Sequence, residues 1–371
     1  MKFSCEKVLL QSAVATASRA VSPKSSIPAL EGVLLQAGRC LTVSGYNMNT
    51  GIRTDLEADI AEEGALVLSA RLFGEIIRRL PDDVVVFASD QDLNVRLTCG
   101  DASYNISALS AEDYPELPEV EDEHSVRIQQ RILRSMIAET SFAVSTDEAR
   151  PIHTGSLFEI EEDCLTVVSV DGFRLALRRE RLEEAGEGGF RFVAPGSALN
   201  EVEKICEDTE EPASITLGQR HLLFEVGSTQ LICRRLEGEF LDYKASIPRA
   251  NPIAVTVNSK SLMEAIDRVS VVISDKQKSP VRCIFQADQI LLSAKTSAGE
   301  AKDVCRASGD GGGLEIGFNN RYLLDALKYA PADTVRLELN TGISPCVVTP
   351  AEGVEDRFLY MVLPVRLKNN G

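Results

Sequence analysis

The sequence predicts an α+β protein built from three tandem copies of one domain, each with two helices packed on antiparallel sheets. Three series of landmarks recur at intervals near a third of the 371-residue chain. Between them, apolar residues alternate at period two and are interrupted by Gly, Asp and Asn turns, which is typical of hairpin-linked strands. Because three independent series keep one period, tandem duplication explains them better than chance similarity.

Six segments with apolar residues at helical spacing predict the helices. The first helix of each copy is predicted over 7–22, 131–145 and 260–274, and the second over 70–81, 195–206 and 319–331. The first series closes on serines that stand 123 and 129 residues apart, and the second series begins at intervals of 125 and 124 residues.

The connecting segments supply the third series, in which Leu109, Leu236 and Leu363 are each separated by 127 residues. About eight short strands are expected in each copy. The linkers are the acidic "LPEVEDEHS" and the Pro-rich "IPRANP", since such stretches interrupt regular structure. We therefore predict domains over 1–123, 124–250 and 251–371.

Composition excludes several classes of protein. The net charge of −17 indicates a self-repelling soluble surface and argues against a basic nucleic-acid-binding module. Nine cysteines, without a C-x-x-C pair, disfavour disulfides and zinc sites and favour a reducing, cytoplasmic environment. No apolar run approaches the ~18 residues of a membrane span, and the first 22 residues predict a strand and a helix, not a secretory signal.

No catalytic constellation is evident, so the sequence predicts a protein that is not an enzyme and holds no cofactor or metal. The chain has three histidines, His124, His153 and His221, and lacks nucleotide-binding, nucleophile-elbow and zinc-protease motifs. "GDGGG" at 309–313 lacks the Lys and Ser/Thr of a phosphate-binding loop. The acidic clusters fall at turns, where solvated loops are the simpler interpretation.

The helices present basic residues away from their apolar stripes. In 70–80 the predicted core face is Leu72, Phe73, Ile76, Ile77 and Leu80, and the outward residues are Arg71, Glu75, Arg78 and Arg79. Further basic residues lie off the stripes of the other helices: Arg19, Arg134, Lys204, Arg268, Arg321 and Lys328. Either these are ordinary surface charges, or they form a sparse positive face in an acidic protein.

The chain ends on the apolar run "FLYMVLPVRL", although C-termini usually fray into polar residues. Two interpretations stay open from the residues alone. The run is a strand that completes a core, or it is a surface left apolar for a partner.

Four motifs together resemble the bacterial β sliding clamp family, the processivity subunit of DNA polymerase III. They are "SALSAEDYPELP", "VSVDGFRLAL", "EIGFNNRYLLDAL" and "VLPVRL", and the resemblance runs from end to end. It implies a ring-forming homodimer of three-domain chains that encircles duplex DNA, with helices lining the hole. The implied partners are a clamp loader, the polymerase III catalytic subunit and other proteins with clamp-binding motifs.

The resemblance also implies three sets of functional residues. The client-peptide pocket would comprise His153, Gly172, Phe173, Arg174, Leu175, Leu241, Asn319, Tyr322, Ile343, Pro345, Met361, Val362, Leu363, Pro364, Val365, Arg366 and Leu367. The DNA-facing residues would be Lys24, Arg71, Arg79 and Lys204, and the dimer interface would comprise Leu72, Tyr104, Ile106, Val272 and Ile273. His153, Leu241, Ala245, Ser246 and Lys278 differ from the commonest family residues, so client preference is expected to differ too. Lys368–Gly371 extend past the usual end.

A different class of function explains the negative charge equally well, namely a repeat-built protein-binding scaffold that never encircles DNA. The mass in solution discriminates the two, because a clamp is expected to be a dimer of about twice the 40.4 kDa chain.

Overall fold

The structure is a computed structural model that describes residues 1–121, 123–183, 189–274, 279–353 and 357–367. The expectations for Lys278 and for Lys368–Gly371 lie outside these residues. The chain divides into two compact units, one formed by residues 1–134 with 197–235 and the other by 135–196 with the chain from 236 onward. Among the described residues, no helix has the length and apolar character needed to cross a membrane.

The first third of the chain begins with a strand and a helix and repeats that pair later. Its strands are β1 (Lys2–Glu6), β2 (Gly32–Ala37), β3 (Leu41–Tyr46), β4 (Thr50–Leu56), β5 (Asp59–Glu62), β6 (Gly64–Ser69), β7 (Val84–Ser89), β8 (Asn94–Cys99), β9 (Ala102–Ser107) and β10 (Leu109–Ser110). Its helices are α1 (Lys7–Ala17) and α2 (Ala70–Arg79). Each helix follows a strand directly, and the Ser69 hydroxyl caps α2 by accepting a hydrogen bond from the Leu72 amide.

The middle third follows a similar order, although its described residues form four strands between the two helices where the first third has five. Its strands are β11 (His124–Gln129), β12 (Gly155–Glu161), β13 (Cys164–Val170), β14 (Arg174–Arg181), β15 (Phe190–Pro195), β16 (Pro212–Leu217), β17 (His221–Val226) and β18 (Thr229–Arg234). The helices α3 (Gln130–Ser141) and α4 (Gly196–Ile205) follow β11 and β15, and the single turn α5 (Tyr243–Ser246) lies in the next linker.

The last third fuses strands that are separate in the other two. Its elements are β19 (Ile253–Asn258), α6 (Ser259–Ser270), β20 (Val281–Thr296), β21 (Gly299–Phe318), α7 (Asn320–Lys328), β22 (Thr334–Leu339), β23 (Cys346–Pro350) and β24 (Phe358–Val362). The pairing of β20 with β21 changes register between Phe285 and Gln289, where the earlier copies have a break between strands. The prediction of about eight short strands is therefore wrong in this copy, although the six predicted helices are confirmed.

The sheets are antiparallel and each unit contains its own. The first unit has a five-stranded sheet in the order β5-β1-β7-β8-β9 and a nine-stranded sheet in the order β10-β6-β2-β3-β4-β18-β17-β16-β11. The second unit has one ten-stranded sheet in the order β15-β12-β13-β14-β24-β23-β22-β19-β21-β20. Strands from different thirds of the chain thus pair in two places, β18 with β4 and β24 with β14.

Aromatic side chains occupy the centre of each core. In the first unit Phe3 stacks on Phe87 with ring centroids 4.7 Å apart. In the second unit Phe142 meets Tyr329 and Tyr360, each with ring centroids 5.1 Å away. Phe3 and Phe87 face each other on neighbouring strands of one sheet. Phe142 and Tyr329 follow α3 and α7, and Phe142 packs on Tyr360 of β24, so this second cluster holds helix ends against the sheet.

The predicted core face of α2 is wrong at Leu72, whose residue is 49% exposed. In the first turn of the helix the core is contacted by Ala70 and Phe73. Leu72 follows Ala70 by two residues, or roughly 200° of rotation, and therefore points away from it. The remaining members of the predicted face are buried.

Candidate client-peptide groove

The apolar C-terminal run is a central strand at its start and a surface at its end. In β24, Met361 pairs with Leu175 of β14 on one side and with Val347 of β23 on the other. Beyond the strand, the Leu363 amide donates to the Phe173 carbonyl at 2.9 Å, and the Val365 amide donates to the Gly317 carbonyl at 2.8 Å. The first half of the run is therefore a core strand, whereas the second half lies at the surface, where the binding of a partner stays a prediction.

The loop before β14, "DGFR", is shaped by an aspartate and a glycine. One carboxylate oxygen of Asp171 accepts the amides of Phe173 and Arg174 at 2.9 and 3.0 Å. Gly172 has φ +89°, a left-handed conformation that glycine adopts without strain. This turn leaves Phe173 57% exposed and directs Arg174 inward.

Arg174 joins this loop to helix α7. Its guanidinium donates to Asp171 at 2.9 Å and forms an ion pair with Asp325 of α7. It also lies 4.6 Å from the ring centroid of Tyr322 and 5.5 Å from that of Phe142. Two carboxylates and two aromatic rings therefore surround its charge, and Arg174 positions the loop and α7 relative to each other.

A cleft of about 680 Å³ lies beside this cluster in the second unit. It is lined by six predicted residues, Phe173, Asn319, Tyr322, Leu363, Pro364 and Val365, and by Ile273, Ser274, Ser279, Pro280, Asn320 and Arg321. The Phe173 and Tyr322 rings both line it and stack on each other with centroids 5.9 Å apart. The Asn319 side chain accepts the Arg321 amide and thereby caps α7. Apolar walls with a few polar groups at the rim suit an extended peptide with apolar anchors.

The other predicted pocket residues lie below or around this cleft. Leu175, Met361 and Val362 are buried and support it from the core. Leu241 and Ile343 are 42% and 76% exposed but do not line it. Arg366 is exposed, whereas Pro345 and Leu367 are half-buried.

His153 lies in a short 3₁₀ helix, Pro151–Thr154, and packs edge-on against Phe240 with centroids 5.5 Å apart. Within the described residues, its Nδ1 is buried without a hydrogen-bond partner. Burial, followed by the charge of Arg150, lowers the pKa of His153 below its ordinary value, because both disfavour the protonated ring.

The predicted DNA-facing residues differ in their electrostatic surroundings. Lys24 and Arg71 are exposed, and neither has an ion-pair partner in the part of the chain that the structure describes. Arg79 pairs with Glu75 at 3.0 Å and Lys204 pairs with Glu201 at 2.7 Å. The carboxylates that pair with them were not anticipated from the sequence.

The predicted interface residues lie at two surfaces. In the first unit, Tyr104 and Ile106 are on β9, the edge strand of the five-stranded sheet, and Tyr104 and Leu72 line one shallow cleft on α2. In the second unit, Val272 and Ile273 follow α6 and pack half-buried on the core. Ile273 also lines the peptide-sized cleft.

Sequence reasoning missed the residues that hold Arg174 in place. Asp171 had a local signal, since Asp-Gly dipeptides mark turns. Phe142 and Asp325 had none, because they lie far from Arg174 in the sequence and meet it only through packing in the second unit.

Comparison with known proteins identifies the family. Three family models match in series: the N-terminal, central and C-terminal domains of the DNA polymerase III beta subunit, over residues 1–118, 127–242 and 244–366. The beta sliding clamps of Staphylococcus epidermidis and Staphylococcus aureus are each 30% identical, with 99% of both chains covered.

Solved structures agree with the sequence matches. The DNA polymerase sliding clamp of Bacillus subtilis superposes with a TM-score of 0.93 at 29% identity, over 99% of this chain and 100% of that one. The DNA polymerase III subunit beta of Pseudomonas aeruginosa gives 0.93 at 26% identity with the same coverage. The chain therefore belongs to the DNA polymerase III beta subunit family, the bacterial sliding clamps, and consists of three tandem clamp domains.

Proposed function

We propose that this protein is a sliding clamp that closes around duplex DNA as a head-to-tail homodimeric ring. It catalyses no reaction itself and is an accessory subunit of a DNA polymerase. It tethers the polymerase III catalytic subunit and other replication and repair proteins to the template. A clamp loader is its partner for assembly on DNA.

A repeated strand junction carries this proposal. β18, the last long strand of the middle third, pairs with β4 of the first third, and β24 pairs in the same way with β14. β9 is the corresponding last long strand of the first third, and no strand among the described residues pairs with its outer edge. Repeating the same contact once more requires a second copy, and a contact that repeats around a closed set of domains forms a ring.

The partner of β9 is expected in the last third of the second copy. The segment that corresponds to β4 and β14 is the beginning of β21, where Val304 is 51% exposed. We assign Leu72, Tyr104 and Ile106 to one side of this interface and Val272 and Ile273 to the other. Pairing β9 in this way covers a sheet edge that otherwise invites aggregation.

Enclosure explains how an acidic protein holds DNA. A closed ring needs no tight contact, so a few exposed cations such as Lys24 and Arg71 supply a weak, salt-sensitive attraction that permits sliding. The net charge of −17 disfavours DNA contact with the rest of the surface. We include Arg79 and Lys204 in the DNA-facing set.

We assign client binding to the cleft between Tyr322, Phe173 and the tail residues Leu363–Val365. We place the boundaries between the three clamp domains after residues 123 and 250. We place the protein in the cytoplasm, because its nine cysteines are free thiols. Such thiols persist where the environment is reducing.

The decisive experiment loads the protein onto nicked circular DNA with a clamp loader and ATP, then linearises half of the sample. Retention on circles and loss from linear DNA are expected. Equal retention on both would exclude encirclement. Truncation after Val362 is the matched test of the groove, since it is expected to abolish client-peptide binding and leave retention on circles unchanged.

A further inference from the structure

The second helix of each domain carries an acidic residue at its sixth position and a basic residue at its ninth. These pairs are Glu75 and Arg78 in α2, Glu201 and Lys204 in α4, and Asp325 and Lys328 in α7. Residues three apart on a helix are neighbours on its surface. The same ion pair is therefore available in all three helices, but the structure uses it in only two of the described helices.

In α2 and α4 the carboxylate engages two cations. Glu75 contacts Arg78 at 2.9 Å and Arg79 at 3.0 Å. Both guanidiniums lower the pKa of Glu75, chiefly through the hydrogen bond from Arg78, so the carboxylate stays ionised near neutral pH. Glu201 contacts Lys204 at 2.7 Å and Arg19, which follows α1, at 3.4 Å.

In α7 the carboxylate is engaged elsewhere. Asp325 pairs with Arg174 of the "DGFR" loop, and Lys328 has no carboxylate within ion-pair distance among the described residues. Its ammonium lies 5.1 Å from the ring centroid of Tyr329. Lys328 is exposed, so its full positive charge remains available to solvent and to phosphate.

The pairs in α2 contribute little to folding. The side chains of Arg78 and Arg79 are 61% and 70% exposed, and ion pairs between exposed side chains add little to stability. Their larger effect is on the field outside the helix, because a carboxylate 3 Å from a cation cancels most of its attraction for a distant phosphate.

We propose that Glu75 and Glu201 weaken the attraction of the α2 and α4 helices for DNA, and that Lys328 is a further DNA-contacting residue. The inference rests on the proposed function. The carboxylates keep the electrostatic attraction between the ring and DNA weak enough for the ring to slide. The second helix of the third domain lacks such a carboxylate beside its lysine, because Asp325 is paired with Arg174 of the "DGFR" loop.

The experiment measures how fast loaded clamps slide off linear DNA at several salt concentrations. The double variant Glu75→Gln with Glu201→Gln removes two negative charges per chain. Its matched control is Glu57→Gln with Glu63→Gln, which alters two exposed residues flanking β5. The first variant is expected to leave DNA several-fold more slowly at low salt, with a steeper salt dependence, because each added phosphate contact contributes about 0.9 to the slope. Lys328→Gln is expected to leave faster, with a shallower salt dependence, because a homodimeric ring loses two phosphate contacts and each contributes about 0.9 to the slope of the logarithm of the binding constant.

Two results overturn the inference. One is that the Glu75 and Glu201 variant behaves like its control, which means that net charge alone acts. The other is that Lys328→Gln slides like the parent protein. If the parent is not retained on nicked circles at all, the proposed function fails first, and that outcome is distinguished by the circular-DNA arm of the same experiment.

Discussion

Arg178 offers the sharpest test of how the second unit is held together. Its side chain is fully buried and its guanidinium donates to Glu139 at 2.6 Å and to the carbonyls of Arg179 and Arg357 at 2.6 and 3.2 Å. It also forms an ion pair with Glu180. Because Arg178 is on β14 beside β24, these contacts fasten the strand that supports the groove.

Replacing Arg178 by Met removes the ion-pair partner of the Glu139 carboxylate, whose side chain is only 14% exposed. Breaking a buried pair in this way costs about 3–5 kcal/mol. For a unit of this size that corresponds to a melting temperature lower by roughly 6–20 °C. The control is Arg181→Met on the same strand, whose side chain is 87% exposed and whose loss is expected to cost under about 1 kcal/mol.

The pH dependence gives the prediction a second signature. Burial raises the pKa of Glu139, and Arg178 opposes that rise, so the pKa climbs further in the variant. A carboxyl whose folded-state pKa exceeds its unfolded value binds protons preferentially in the native state, so stability increases as the pH falls toward it. Arg178→Met is therefore expected to regain stability on mild acidification, and adding Glu139→Gln should restore part of it at neutral pH. The reasoning would be refuted if the thermal melts of Arg178→Met coincided with those of the parent protein at all pH values.

Three further predictions concern the proposed surfaces. Tyr322→Ala removes the ring shared by the groove wall and Arg174, so client-peptide affinity measured by fluorescence anisotropy should fall about tenfold or more, a loss on the order of 1.4 kcal/mol. Ile106→Lys places a charge at the proposed dimer edge and should shift the mass in solution from dimer to monomer, whereas Ile343→Lys should not. The lowered pKa of His153 means that its contribution to stability is present above the ordinary value of 6.5 and is lost as the pH falls through the lowered one. His153→Gln should therefore flatten the plot of stability against pH in this range, leaving the part due to His221, whose pKa is also lowered.

Local features were largely predictable from the sequence. The six helices follow from apolar spacing, and their observed bounds differ from the predicted ones by a few residues, as at α1, which ends at Ala17 and continues as a 3₁₀ turn over Ser18–Ala20. The prediction failed at Leu72 because Ala70 and Phe73 face the core at the start of α2, and Leu72 lies roughly 200° around the helix from Ala70. The prediction of separate short strands failed at β20 and β21, because a change of register keeps each strand continuous where a turn was expected.

The groove was predictable only as a resemblance. The motifs placed Phe173, Tyr322 and the tail in one set, but they did not distinguish residues that line the surface from those beneath it. That distinction depends on pairing between β14 and β24, which lie about half the chain apart. It also depends on Asp325, which forms an ion pair with Arg174 and not with Lys328, its neighbour on the same helix.

The sequence by itself determined the threefold repeat, the helices and the acidic surface, because these depend on local spacing and composition, and four of its motifs carried the resemblance to the family. Only the tertiary structure decided which cations are free and which are paired, and where the terminal run passes from core to surface. The physical reason is distance: hydrophobic periodicity acts within a few residues, whereas an ion pair or a strand partner is chosen by groups that meet only after the chain has folded.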